Sequence, residues 1–82
     1  MIALTLYSRP ACHLCDEMKA VILPLLSQFD ATLEVIDIDT DPELVAAYGH
    51  DIPVLLVNGR KAFKHRLTPA ELQRRLAREA SA

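Results

Sequence analysis

A chain of 82 residues, 51% of them hydrophobic and 24% charged, has the size of one domain with one compact core, and that composition excludes a disordered or fibrous chain. The net charge is only −2, but it is divided: residues 1–59 hold Arg9 and Lys19 against nine acids, for −7, and residues 60–82 hold seven Arg or Lys against Glu71 and Glu79, for +5. No apolar run approaches the roughly 18 residues of a membrane span, and Met1–Tyr7 lacks a basic stretch and a cleavage site, so the expectation is a soluble, cytoplasmic protein without a membrane partner. The basic stretch reads as a solvated helix face with its loop, or as a docking patch for an acidic partner. Nucleic acid is not expected, because Tyr7, Phe29, Tyr48 and Phe63 are scattered and offer no platform for stacking bases.

Ile2–Tyr7 is short, apolar and bounded by Ser8-Arg9-Pro10, which predicts a buried strand. From His13 onward, Leu14, Met18, Val21, Ile22, Leu25, Leu26 and Phe29 recur at helical spacing. They predict a first helix beginning at the cysteines and bending at Pro24, since proline removes one hydrogen bond and crowds the carbonyl of Ala20. Thr32–Ile38 alternates polar and apolar residues with β-branched enrichment, the pattern of a second strand. Asp41 is placed to cap a short second helix, with Pro42 as its first residue, Glu43 in its first turn and Gly49 ending it after Tyr48.

Pro53–Val57 is a continuous apolar strand, Asn58-Gly59 signals a type I′ turn, and Arg60–Phe63 can return antiparallel. Thr68-Pro69-Ala70-Glu71 combines a cap, a proline at the first helical position and a capping-box glutamate, and Leu67, Leu72 and Leu76 supply the apolar side of a third helix. The order βαβαββα predicts an α/β fold in which a four-stranded mixed sheet is flanked by three helices. The first two strands run parallel through a right-handed crossover, and the last two run antiparallel.

Two cysteines separated by two residues do not tie distant segments together, so the pair reads as chemistry and not as scaffold. Placed between a strand and a helix, Cys12 stands at the helix N-terminus, where unpaired N–H groups and the positive end of the dipole favour a thiolate. Free thiols titrate at about 8.5, and cysteines in such settings fall to roughly 3.5–7.5. Cys12 is therefore the expected nucleophile on a substrate disulfide, and Cys15, one turn on, the thiol that resolves the mixed disulfide. The competing reading is half of a zinc site, but His13, His50 and His65 lack the spacing to complete four ligands. Asp37, Asp39 and Asp41 alternate without the glycine and terminal glutamate of a calcium loop, so strand-end polarity and capping explain them and no metal site is expected. Asp16 and Glu17 complement the dipole of the first helix.

The segment Tyr7-Ser8-Arg9-Pro10-Ala11-Cys12-His13-Leu14-Cys15 resembles the strand-end motif of glutaredoxins, and Asp51-Ile52-Pro53-Val54 resembles their second motif. The resemblance covers nearly the whole chain, residues 1–82 as one glutaredoxin-like domain of thioredoxin-type fold. It implies thiol-disulfide oxidoreductase activity on a protein or low-molecular-weight disulfide, with Cys12 attacking and Cys15 resolving. It further implies that Arg9 is a cation near the thiolate and that Pro53 is cis and faces the cysteines. The Ile52 backbone would then pair with an extended substrate. Arg9 as a plain loop arginine and Pro53 as an ordinary trans proline at a strand start are the alternatives.

The chain departs from that pattern twice. His13-Leu14 stands where Pro-Tyr is usual; a protonated His13 would favour the Cys12 thiolate, and an exposed first-turn residue is the alternative. After Gly59, glutaredoxins that bind glutathione carry a Gly-Gly pair followed by acidic residues, whereas this chain has Phe63-Lys64-His65-Arg66. No cofactor is expected, and glutathione stands only as one candidate reductant. The rival reading is a module that holds an iron-sulfur cluster or zinc with the same thiols. A third is an interaction domain that docks through its basic C-terminal face.

Overall fold

Ile2, Leu4 and Leu6 alternate with Ala3, Thr5 and Tyr7 along the first strand, and that alternation decides which face of the sheet carries the core. In the computed structural model, which describes residues 1–81, the strands are β1 (Ile2–Ser8), β2 (Ala31–Asp37), β3 (Val54–Val57) and β4 (Arg60–Lys64). The helices are α1 (His13–Ile22), α2 (Pro42–Tyr48) and α3 (Pro69–Ser81). The strands lie in the order β2-β1-β3-β4. β1 pairs in parallel with β2 and antiparallel with β3, and β3 pairs antiparallel with β4, so the sheet is mixed as expected.

The largest cluster of buried side chains forms on one face. Ile2, Leu4 and Leu6 of β1 and Leu55 and Val57 of β3 meet Met18 and Ile22 of α1 and Leu72 and Leu76 of α3, with Leu25 and Leu67 closing the cluster. α2 buries none of its residues and meets the other face through Tyr48, whose ring stacks on Tyr7 with centroids 4.7 Å apart.

Local signals account for most of the boundaries. The Asp41 carboxylate accepts the Glu43 N–H at 2.9 Å and caps α2. Thr68 and Glu71 form the reciprocal box: the Glu71 N–H reaches Thr68 Oγ1 at 3.2 Å, and the Thr68 N–H reaches Glu71 Oε1 at 3.2 Å. The hairpin turns through Asn58 (φ 50°) and Gly59 (φ 81°), the two positive values that a type I′ turn requires. Asn58 also pins the hairpin to β1, accepting from the Ala3 N–H at 2.9 Å through Oδ1 and donating its own N–H to the Ala3 carbonyl at 2.8 Å. Gly49 ends α2 without a left-handed turn; its φ is −55°, and a Cβ there would stand 2.6 Å from the Val45 carbonyl oxygen.

One expectation is corrected. The first helix does not run on through a bend to Phe29: it stops at Ile22, and Leu23–Leu25 form a separate 3-10 turn with Pro24 in its first positions, where a missing N–H costs nothing. The apolar spacing persists because Leu25 is buried and Leu26 and Phe29 pack against the core from this looser segment. The chain then turns through Asp30 at φ 53° and enters β2 at Ala31. At the other end of that strand, Ile38 leaves the sheet for a 3-10 turn (Ile38–Thr40) and is fully buried there.

Leu72 is completely buried, so Leu72→Ala should cost about 2–5 kcal/mol in urea unfolding, against about 1 kcal/mol for loss of the cap in Thr68→Ala. The reverse ranking would contradict this account of the core. Glu79 accepts from Arg75 Nε at 3.0 Å, and this hydrogen bond holds its carboxyl below the usual value, with Asn58 assisting. A folded-state value below the unfolded one stabilises above the ordinary carboxylate range and stops doing so as pH falls through the lowered value. Glu79→Gln should therefore be less stable than wild type near neutrality and equal to it in acid, as measured by thermal unfolding across pH.

Candidate active site

The end of β1 decides where the chemistry sits. Tyr7 pairs with Val54 and Ser8 with Asp37, while Val54 also pairs with Lys64. The loops after β1, after β2, before β3 and after β4 therefore leave the sheet at the same end. The cysteines occupy the first of these, and Ile52 and Pro53 the third.

Ala11, at φ 58°, takes a left-handed conformation that costs a non-glycine residue about 1 kcal/mol. It turns the chain so that Cys12 enters in extended geometry (φ −100°, ψ 107°) as the N-cap of α1. The Cys12 sulfur accepts the Cys15 N–H at 3.1 Å, the position a serine or aspartate oxygen takes in an ordinary cap, and the Cys12 carbonyl accepts from Asp16 at 3.1 Å. Cys15 follows within the first turn and is 3% exposed, whereas Cys12 is half-buried. The two sulfurs are joined as a disulfide with Cα atoms 5.2 Å apart.

Arg9 and His13 lie beside the pair with partners of their own. Arg9 Nε is 2.9 Å from Asp39 Oδ1, which links the loop after β1 to the 3-10 turn after β2. The His13 ring is 89% exposed and 3.9 Å from Glu17 Oε1. The polar contact of the Cys12 sulfur is the helix N–H, not Arg9 or His13.

The Ile52–Pro53 bond is cis, and Pro53 is buried. The Asp51 and Ile52 N–H groups both reach the Tyr48 carbonyl, at 2.8 and 3.1 Å, and the Pro53 carbonyl accepts the His65 N–H at 2.8 Å. Asp51 faces the segment after β4, with its carboxylate 3.9 Å from Lys64 Nζ and 4.0 Å from His65 Nε2. His65 has φ 68°, a conformation that favours glycine, close to where the glutaredoxin pattern has its Gly-Gly pair. Between α1 and this segment runs an open groove of about 430 Å³, lined by Leu14, Met18, Val21 and Leu67, with Glu17 and Arg66 among its polar lining residues.

The Tyr7–Tyr48 stack and the contacts of Asp51 are supporting features that no spacing pattern announced. The stack joins residues 41 positions apart. The Asp51 contacts follow from the ends of β3 and β4 being neighbours. Glycine at the position of His65 in relatives would have been the signal for its backbone shape.

Comparison with known proteins places the chain by family and fold. The family model for the glutaredoxin-like domain (DUF836) matches residues 3–77. The chain is 31% identical over 77 residues to the glutaredoxin-like protein YDR286C homolog of Dictyostelium discoideum, covering 87% of this chain and 71% of that protein. Among solved structures it is similar to the structural-genomics target XcR50 from X. campestris, with 34% identity, a TM-score of 0.74 and coverage of 92% and 96% of the two chains. A mutant thioredoxin from Halobacterium salinarum shares the fold, with a TM-score of 0.71 at 23% identity, over 94% of this chain and 73% of that one. The chain therefore belongs to the glutaredoxin-like domain family.

Proposed function

We propose that the protein is a thiol-disulfide oxidoreductase in which Cys12 attacks and Cys15 resolves. The observation that carries this reading is the capping geometry: the sulfur of the half-buried Cys12 accepts the Cys15 N–H at the start of α1, and the buried Cys15 is bonded to it one turn along. In the reduced protein, the Cys12 thiolate attacks one sulfur of a substrate disulfide. That S–S bond breaks, and the other sulfur departs as a thiolate that takes up a proton. Cys15 then loses its proton and attacks Cys12, releasing the second substrate thiol. Two electrons have passed to the substrate and the Cys12–Cys15 bond has formed. An external thiol reductant reverses it.

The helix terminus is the main support for the thiolate. Arg9 contributes a longer-range field, offset by the Asp39 carboxylate beside it, and the exposed His13 ring lies 3.9 Å from the Glu17 carboxylate. Pro53 and Ile52 supply the platform beside the pair. Because the Ile52 N–H is committed to Tyr48, its carbonyl is the group through which an extended substrate would pair. The substrate is a protein or low-molecular-weight disulfide. Glutathione is one thiol able to reset the enzyme, although Lys64, His65 and Arg66 replace the elements that would make it the specific partner.

Alkylation of the reduced protein with iodoacetamide at mildly acidic pH should modify Cys12 well before Cys15, as read by peptide mass mapping. Equal rates would contradict the assigned roles. Incubated with a disulfide substrate, Cys15→Ser should accumulate a covalent adduct through Cys12, and Cys12→Ser should fall to background turnover. Wild-type turnover by Cys12→Ser would remove the mechanism.

A further inference from the structure

The strand at one edge of the sheet and the helix beside it carry most of the positive charge of the protein, and they adjoin the loops just described. β4 is the outermost strand on its side. Lys61 and Lys64 pair with Leu56 and Val54 and project toward the face bearing α2, where Lys61 Nζ lies 5.7 Å from the Tyr48 ring centroid. Arg60 pairs with Val57, a core residue, and projects toward the face bearing α3. Between β4 and α3 an open groove of about 620 Å³ has Ala62, Phe63 and Ala77 among its lining, with three cations, Arg74, Arg75 and Arg78, and one carboxylate, Glu71, on its helix side. A hollow of about 220 Å³ on the strand, lined by Lys61, Ala62, Phe63 and Lys64, shares Ala62 and Phe63 with that groove, so cations flank both faces of the edge.

These charges are poorly compensated. Arg75 is paired with Glu79, and Lys64 lies 3.9 Å from Asp51. Among the described residues, Arg60, Lys61, Arg66, Arg74 and Arg78 have no carboxylate within 4.0 Å. Two such edges from separate copies would repel each other, which protects against self-pairing. The same row of cations on either side of unpaired main-chain groups matches an extended segment whose side chains are acidic. The edge also leads to the redox site, because the His65 N–H just past β4 is bonded to the carbonyl of Pro53.

We propose that the β4 edge and the adjoining face of α3 form a docking surface for an acidic, extended segment of a disulfide-bearing protein partner. The proposal rests on the oxidoreductase reading for its purpose, but the surface can be tested apart from it. Two peptide disulfides, identical except for flanking runs of Glu or Lys, are compared with a small uncharged disulfide as substrates at low and high salt. Wild type should prefer the Glu-flanked peptide by about tenfold or more in kcat/KM at low ionic strength, and the preference should shrink as salt rises.

Arg60→Glu/Arg74→Glu/Arg78→Glu should abolish or invert the preference while turnover of the small disulfide stays within about twofold. The corresponding triple Gln variant should lose it without inversion. A preference that survives both variants overturns the proposal. So does salt-sensitive self-association of wild type that the variants abolish, because it would assign the edge to the acid-rich part, residues 1–59, of a second copy. Should the small disulfide not turn over at all, the oxidoreductase reading fails. Fluorescence anisotropy with a labelled, cysteine-free acidic peptide then still decides the surface: salt-sensitive binding lost in the Gln variant supports it, and no binding overturns it.

Discussion

The sulfur of Cys12 serves as the cap of α1, and this one contact organises the candidate site. A helix leaves its first N–H groups without internal partners, and here one of them is satisfied at 3.1 Å by a thiol sulfur in place of an oxygen. That placement by itself gives the two cysteines different environments. Cys12 is held at the electropositive end of the helix and partly open to solvent. Cys15 lies within the first turn, 3% exposed, on the side of α1 that faces the sheet. Ala11 accepts an unfavourable backbone conformation to bring this about, and β1, paired on both edges, fixes the point from which the loop departs.

Main-chain bonds, more than ion pairs, hold the neighbouring loops in position. Arg9–Asp39 and the contacts of Asp51 with Lys64 and His65 are solvent-accessible, and such pairs contribute about 0–1 kcal/mol each. The cis-proline loop is instead fixed by the Tyr48 carbonyl on one side and by the His65 N–H on the other, with Tyr48 itself seated on Tyr7. The charged residues around the site are thus left to act on what approaches it, through fields that salt can screen.

What could be read from the chain beforehand was what depends on neighbours in sequence. The caps at Asp41 and Thr68, the turn at Asn58-Gly59 and the cysteines at a helix start are all local devices, and each lies where its residues indicated. Pro24 was legible as a disruption but not in its outcome, because periodicity cannot separate a bent helix from a helix followed by a 3-10 turn whose leucine fills the same core position. The Tyr7–Tyr48 stack, the partner of Arg9 and the left-handed His65 depend on strand order and on contacts between distant segments, which residue patterns do not carry. The division of charge was visible in the sequence. Its arrangement on both faces of β4 required the register.

The central claim, that the Cys12–Cys15 bond is made and broken in function and is not a structural staple, is tested most directly by its reduction potential. Equilibration in thiol redox buffers, with the dithiol fraction read by alkylation and mass spectrometry, should give a reversible two-electron titration between roughly −120 and −270 mV, the range of disulfide oxidoreductases. A pair that remains oxidised below about −300 mV, as structural disulfides do, would contradict the account.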